Sequence, residues 1–329
     1  MATQAGVTVE AIGKPFAVVG SVPKPTPGKK QVLVKSLVVS LNPIENMQQK
    51  FGILVESWPA VLGSDFSGAV TEVGEDSTRL KKGDYVYGCA LIGRNDYTPF
   101  QETFIVDEDI VFKKGEKFSH EEASTIGAGL LTASLALLAG FDLSLPPPGT
   151  RSPGRDEWIV VLGGSGSVGQ FGVQIPASHG AATFDGRASL DEQVAEIKKI
   201  TGGSFARVFD ASAHGYDVAI AALSSASTEP VKYFSSVDDW SPFKTPPSIK
   251  EYRTQLGRLG KFDDDLGSTI SSQIAAWIPQ LEGHFEAGTI KPLEYELVDG
   301  LGWDKLIAGI QQLEDGKVSK KLVVKVQEE

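Results

Sequence analysis

The spacing of apolar positions changes character twice along the chain. Up to about residue 125 it is strand-like. Gln31–Ser40 is a β-branched apolar run, Ala69–Val73 alternates, and Lys82–Tyr87 is a Gly-Asp turn feeding a further strand. Glycine and proline punctuate at short intervals, as in a compact barrel-like β domain. The pattern then turns helical over His120–Gly140, with Ser119 placed to cap it and Glu121 and Glu122 in its first turn. A proline- and glycine-rich loop, Leu145–Gly154, leads to Trp158–Leu162, a short apolar run bounded by glycine that reads as a buried parallel strand. Asp191–Thr201 reads as an amphipathic helix closed by Gly202 and Gly203, and Ala206–Asp210 as another strand. This alternation predicts an open α/β sheet. Strand character returns after residue 285 and ends in Lys320–Val326, so the chain is expected to rejoin its first domain. The boundaries that follow are 1–125, 126–284 and 285–329.

Composition narrows the class. At 329 residues the chain is too long for one ordinary core. With 41% hydrophobic and 22% charged residues it reads as a soluble globular protein, and no run of 18 apolar residues offers a membrane span. The start of the sequence has no basic stretch followed by an apolar one, and Cys89 is the single cysteine, so a reducing, cytoplasmic setting is expected. A net charge of −11 without a basic stripe argues against nucleic acid. A cofactor phosphate can still be held by local backbone donors.

The sharpest motif is Val160–Gly169. Gly164, Gly166 and Gly169 satisfy G-x-G-x-x-G, with Ser165, Ser167 and Val168 between them. The loop leaves a buried-strand pattern and opens the helix-like stretch Val168–Ile175, which is the context the motif requires. One glycine makes the turn, one admits a pyrophosphate, one lets helix and strand pack closely, and free N–H groups at the helix start bind the phosphates.

With this loop, Gly63–Val70, Leu80–Val86, Gly127–Leu135 and Gly316–Val324, the chain resembles the medium-chain dehydrogenase/reductase superfamily collinearly over nearly its whole length. In detail it is similar to fungal zinc-independent members, among them the trans-acting enoyl reductases that serve polyketide synthases. The resemblance implies an α/β fold made of a GroES-like β-rich domain plus a Rossmann doubly wound parallel sheet, with hydride transfer from NADPH. Zinc alcohol dehydrogenases of the superfamily carry G-H-E and a catalytic cysteine. Here Gly63-Ser64-Asp65 and Asn42-Pro43-Ile44-Glu45 stand at those places, the latter similar to the N-P-x-D/E of quinone and enoyl reductases. One cysteine cannot build a structural zinc site, and His120, His179, His214 and His284 show no ligand spacing. Without a strong Lewis acid the acceptor must already be activated: an enone, a quinone or an enoyl thioester.

Each residue singled out has two readings. By resemblance Asn42 and Pro43 line the nicotinamide end of the cofactor; alternatively Asn-Pro is a turn. Ser64, at the position of a lost metal ligand, faces substrate or is a local turn hydroxyl. Thr132 touches the nicotinamide amide, with Leu131 and Ser134 bordering the substrate, or it bonds back to its own helix. Ser319 and Lys320 contact the cofactor or are solvated. Similarity also places Ser235 at a strand end facing the nicotinamide, and Leu256 and Gly257 in a substrate-side loop.

The second Rossmann strand is open to two readings. In one it is Ala181–Phe184, so that Asp185 reads the ribose 21 positions after Gly164 and Arg187 meets a 2′-phosphate. In the other, preferred on the resemblance, Ile175–Ala181 joins the first helix directly to the third strand, and about one strand and one helix are missing. The expected function is NADPH-dependent reduction of a small-molecule or carrier-bound enoyl or enone substrate, with a polyketide synthase as partner. The alternatives are a quinone oxidoreductase and a cofactor-poor, non-catalytic member of the fold. A monomer and a homodimer are both compatible with the sequence.

Overall fold

The alternation seen in the sequence becomes fourteen strands and eight helices in a computed structural model, which describes residues 2–150, 158–176, 181–226 and 230–329. In chain order these are β1 (Thr3–Val9), β2 (Phe16–Pro23), β3 (Gln31–Ser40), α1 (Pro43–Phe51), β4 (Ala60–Val61), β5 (Asp65–Val73), β6 (Tyr85–Cys89), β7 (Thr103–Asp107), β8 (Phe112–Lys113), α2 (His120–Ser124) and α3 (Gly127–Ser134). They continue with β9 (Trp158–Leu162), α4 (Ser167–Gln174), α5 (Leu190–Thr201), β10 (Phe205–Asp210), α6 (Tyr216–Ala226), β11 (Lys232–Ser236), β12 (Ile249–Arg253), α7 (Asp265–Ala287), β13 (Tyr295–Leu301), α8 (Trp303–Glu314) and β14 (Lys321–Lys325). His179 and residues 151–154 of the Leu145–Gly154 loop lie outside the described residues. Among the described residues, no helix is long and apolar enough to cross a membrane.

The chain divides into two units, one made of residues 1–128, 257–282 and 292–329, the other of 129–256 and 283–291. The division departs from the sequence boundaries at residues 257–282, which join the first unit. The reason is local. A Cβ on Gly257 would stand 2.6 Å from Leu54, Arg94 Nη1 donates to the Gly260 carbonyl at 3.1 Å, and Lys261 pairs with Glu56 at 3.4 Å.

In the first unit one sheet runs β13-β14-β3-β5-β6-β8, with β7 also on β3, and a second runs β2-β1-β4. The C-terminal strand does return: β14 pairs antiparallel with β3 in the register Val323↔Ser40. Within the larger sheet Val32, Val34, Phe66, Val70 and Phe104 of β3, β5 and β7 form one buried cluster, with Phe66 and Phe104 edge to face at 4.8 Å.

The second unit holds a parallel sheet in the order β12-β11-β10-β9. Val160, Leu162, Val208 and Phe234 point to one face, where Ile197 of α5 and Ala219, Ala222 and Leu223 of α6 cover them. The alternate positions Val161 and Phe209 meet α4, whose Gly172 lets the helix backbone approach both side chains. On that same face the Ser235 hydroxyl donates to the Ala136 carbonyl at 2.9 Å. The sheet is thus covered on both sides, as its continuous apolar strands require.

Two expectations are corrected here. His120–Gly140 is not one helix: α2 ends at Ser124, α3 begins at Gly127, and a π-turn spans Leu135–Ala139. The break is imposed by Asp65, whose carboxylate accepts the Ala128 N–H and leaves no room for a side chain at Gly127, where a Cβ would lie 2.2 Å from Asp65 Oδ1. Ser119 does cap α2, accepting the Glu122 N–H at 3.1 Å, and Glu122 accepts the Ser119 N–H at 2.9 Å. Ala181–Phe184 forms no strand, so those residues are neither the second Rossmann strand nor the third that the resemblance prefers; β10 is the strand that pairs with β9, and residues 177–180 of the Ile175–Ala181 segment lie outside the described residues.

Candidate active site

Four strand ends and one helix start converge in the first unit. β3 leads through Leu41 to Asn42, which sits at the N-terminus of α1 with Pro43 in the first helical position. The register of β3 on β5 sets Ser40 opposite Asp65, and that of β5 on β6 sets Asp65 opposite Cys89. Lys321 opens β14, two residues from the Val323↔Ser40 pair. Sheet geometry alone therefore gathers Asn42, Ser64, Asp65, Cys89 and Lys321, and the first turn of α1 adds Glu45.

These side chains form one hydrogen-bonded network. Asn42 Nδ2 donates to Ser64 Oγ at 2.8 Å and to Asp65 Oδ2 at 2.9 Å. Lys321 Nζ donates to Asp65 Oδ2 at 2.9 Å and to Asn42 Oδ1. Ser64 Oγ donates to Glu45 Oε1 at 2.6 Å, and the Asn42 backbone N–H donates to Glu45 Oε2 at 2.6 Å. The Lys321 side chain is 3% exposed and Asp65 0%. Removing one partner of such a buried pair strands the other charge, at about 3–5 kcal/mol.

Glu45 lies 1% exposed on the inner side of α1. Burial raises its pKa to about 7, against the opposing pull of the Ser64 hydroxyl, the Lys321 charge and the Asn42 N–H; the Asp65 charge adds to the rise. Near neutrality this carboxyl is therefore poised between its two forms. Burial also pushes the Cys89 thiol well up, with the Asp65 and Glu45 charges acting in the same direction, so Cys89 is an inert thiol. Asn46 and Gln48 are buried on α1 as well, and Asn46 Oδ1 and Gln48 Nε2 have no hydrogen-bond partner. A helix burying a polar side breaks the rule for a purely structural element.

In the second unit the glycine loop leaves β9 and enters α4. Gly163 has φ +75° and a Cβ there would meet Ser212 at 2.9 Å; at Gly169 it would lie 2.2 Å from the Gly163 carbonyl. Those two glycines are demanded by the fold. Gly164 and Gly166 are not: neither has a positive φ, and an added Cβ would meet only ordinary contacts at 3.8 and 3.5 Å. Their bareness is left to something approaching from outside, at the end of α4 where unpaired N–H groups and the helix dipole favour an anion. Asp210, at the end of β10, braces the neighbouring loop. It accepts from Ser212 N and Oγ at 3.0 and 2.6 Å, from Gly215 N at 3.0 Å and from Ser236 Oγ at 3.2 Å.

Residues 28–116 match the model of the alcohol dehydrogenase GroES-like domain. The dehydrogenase orsE of Emericella nidulans is 28% identical over 94% of this chain and 95% of its own length. The trans-enoyl reductase traG of Penicillium crustosum is 26% identical over 98% of this chain and 97% of its own. An alcohol dehydrogenase superfamily protein from Novosphingobium aromaticivorans shares the fold, with a TM-score of 0.75 at 18% identity over 98% of this chain and 100% of its own.

Over nearly its whole length the chain is similar to members of the medium-chain dehydrogenase/reductase superfamily. Its relatives there are named as dehydrogenases and trans-enoyl reductases.

The residues expected from this superfamily's pattern are placed as follows. Asn42 and Ser64 meet directly. Pro43 is exposed at the start of α1. Thr132 is half-buried, and among the described residues its hydroxyl makes no bond back to its helix, whereas Ser134 Oγ donates to the Leu130 carbonyl at 2.9 Å. Leu131 is fully buried. Ser165, Ser167 and Val168 lie at the loop and first turn of α4. The Ser235 hydroxyl is engaged by Ala136, so only its backbone is presented at the end of β11. Leu256 is buried, and Gly257 packs on Leu54. Ser319 Oγ donates to Glu296 at 2.8 Å and Lys320 pairs with Glu294 at 2.9 Å, both exposed; the lysine that turns inward is Lys321, the next along a strand whose side chains alternate. Asp185 and Arg187 are exposed and bound to each other at 2.9 Å, which holds the Asp185 carboxyl down at about 2. Sequence reasoning missed Glu45 as a buried acid, Lys321 and Asp210.

The donor set around Ser64 does not fit zinc. Among the described residues no three His, Cys, Asp or Glu side chains are placed to hold a metal, and the Lys321 ammonium already engages the Asp65 carboxylate. The glycine loop does fit a dinucleotide's diphosphate. A cavity of about 570 Å³ elsewhere in the first unit is lined by Glu10, Glu56, Asp96, Arg94, Trp58 and Tyr97; none of the network's residues contributes to it, and three carboxylates against one guanidinium disfavour a phosphate.

Proposed function

We propose that this protein is a zinc-independent, nicotinamide-dependent reductase of activated carbon–carbon double bonds, taking an enoyl thioester or enone and, when the acyl group is carrier-bound, serving a polyketide synthase in trans. The observation that carries this reading is the buried Asn42–Ser64–Glu45–Asp65–Lys321 network. It offers hydrogen-bond donors and a mobile proton where zinc members of the superfamily place a Lewis acid. Such a site suits an acceptor that is already polarised by its carbonyl.

The cofactor, when bound, supplies a hydride to the β-carbon of the acceptor, and the double-bond electrons move onto the carbonyl oxygen. The protein's residues handle the rest. The amides of Ser165, Ser167 and Val168 hold the diphosphate, while that of Gly166 donates to the Gly163 carbonyl at 3.1 Å. Thr132, its hydroxyl free of its own helix, orients the carboxamide end. The Lys321 ammonium fixes Asn42 and neutralises Asp65, so the network carries little net charge of its own.

Glu45 sets the state of Ser64. Ionised, it accepts the Ser64 hydroxyl proton. Neutral, it donates to Ser64 Oγ, which still accepts from Asn42, and the Ser64 proton is released for the developing enolate. A proton passed from Glu45 through the Ser64 hydroxyl to the α-carbon then restores the neutral product and leaves Glu45 ionised until solvent reprotonates it, so one hydride and one proton are consumed for each double bond reduced.

The test is incubation with NADPH and a panel of 2-enoyl thioesters, enones, quinones and aldehydes, following loss of reduced-nicotinamide absorbance. Turnover of enoyl thioesters or enones is expected. Turnover of quinones alone would make the protein a quinone oxidoreductase, and robust zinc-dependent alcohol oxidation would overturn the reading.

A further inference from the structure

The path of the chain between α4 and α5 bears on how the cofactor is read. α4 lies on the face of the second unit's sheet marked by Val161 and Phe209, and α5 on the opposite face with Val160, Leu162 and Val208. The chain therefore changes face while advancing by a single strand, from β9 to its direct partner β10. In a doubly wound sheet such a change of face belongs to the switch point, and the strands that wind the other way from it, the second and third, build the adenosine side. Here the described residues 181–189 contain no strand, and among the described residues the sheet begins at β9. What stands is β9-β10-β11-β12, with Asp210 and Ser236 tying together the loops at its C-terminal edge. Asp185 and Arg187, the pair spaced to read ribose and 2′-phosphate, are exposed and closed on each other by a two-pronged contact at 2.9 and 3.1 Å.

We infer that the protein holds a nicotinamide dinucleotide by its diphosphate and nicotinamide-riboside half alone and does not read the adenosine 2′-phosphate, so that NADH serves it as well as NADPH. The inference rests on the reductase reading and refines its choice of reductant. A reader of the 2′-phosphate makes charge-assisted hydrogen bonds, each of which separates the two cofactors by about 10-fold or more. Without one, the two dissociation constants stay within about threefold.

The experiment is a fluorescence titration of the protein with NADPH and with NADH, repeated in excess adenosine 2′,5′-bisphosphate and, separately, in excess adenosine 5′-monophosphate, whose shared 5′-phosphate can itself occupy the glycine loop. The expected result is binding of both dinucleotides with Kd values within about fivefold, and equal competition by the two adenosine fragments. NADPH binding tighter by more than about fivefold, or stronger displacement by the 2′-phosphorylated fragment, overturns the inference and leaves the reductase reading standing. Binding of neither dinucleotide overturns both.

Discussion

Replacing Glu45 by glutamine isolates the group on which the proposed proton handling turns. Its pKa stands at about 7 against an ordinary 4.5 because burial disfavours the carboxylate. The folded protein therefore holds more protons than the unfolded chain between those two values. The unfolding free energy falls as pH rises through that window and is level above it. At about 1.4 kcal/mol per pH unit, the rise from 4.5 to about 7 amounts to about 3 kcal/mol of stability, fully present below pH 4.5 and lost once pH passes 7. Glu45→Gln cannot titrate. It keeps an acceptor for Ser64 but not a second one for the Asn42 N–H, a pH-independent loss of about 1 kcal/mol. Paired urea unfolding of the two proteins from pH 4.5 to 8 measures the difference. Tryptophan fluorescence is a suitable signal, since Trp58 and Trp303 pack against one core cluster of the unit that holds Glu45. The account expects wild type to lose about 3 kcal/mol relative to the variant across that range. Parallel curves, with the difference constant to about 0.5 kcal/mol, would mean that Glu45 ionises like an ordinary glutamate, and the two states assigned to the Ser64 hydroxyl would have no basis.

Other substitutions probe the remaining parts of the site. Lys321→Met leaves Asp65 buried and uncompensated and should destabilise by about 3–5 kcal/mol in chemical denaturation, while the double variant with Asp65→Asn recovers part of the loss; equal losses in single and double variants would contradict a direct pair. Gly169→Ala drives a methyl against the Gly163 carbonyl, 2.2 Å from the ideal Cβ, and should weaken dinucleotide binding at least about tenfold by fluorescence titration; unchanged binding would place the cofactor elsewhere. Cys89 should resist thiol reagents in the native protein and react once the protein is unfolded by urea, because it is buried and its thiol is held protonated; rapid native labelling would contradict that placement.

Much of the fold is written in local pattern. β3 and β9 occupy the spans of their apolar runs, because a buried strand needs a continuous apolar stretch and the glycines beside it end it. α5 is announced by its amphipathic spacing and by Ser189 and Glu192, which bond to each other's backbone at its start. Other features are settled by distant partners and leave no local trace. The division of His120–Gly140 depends on Asp65, more than 60 positions away in sequence. α7 runs through Pro279, which local rules read as a break; Ile270, Ile274, Ile278 and Leu281 are buried along one side of it, so burial outweighs the missing hydrogen bond.

The site was legible as identities and not as a network. Asn42 and Ser64 were marked by standing where metal ligands belong in the superfamily. Their contact, and the burial of Glu45 that gives it meaning, follow from registers that only the folded sheet fixes. Lys320 and Lys321 are indistinguishable by composition. The phase of the strand decides between them, and one residue of phase reverses which lysine faces inward. Ala181–Phe184 forms no strand although β10 takes only one edge of β9, and nothing in those four residues alone marks that outcome.

The central claim is that hydride passes from a reduced nicotinamide to an activated double bond at a site that needs no metal. The direct measurement is turnover of a 2-enoyl thioester by protein freed of metal with a chelator, using a reduced cofactor deuterated at its transferable position and locating the label by NMR. The account predicts undiminished turnover with deuterium at the β-carbon. Loss of turnover on metal removal with recovery on adding zinc, or deuterium at a carbinol carbon, would contradict it.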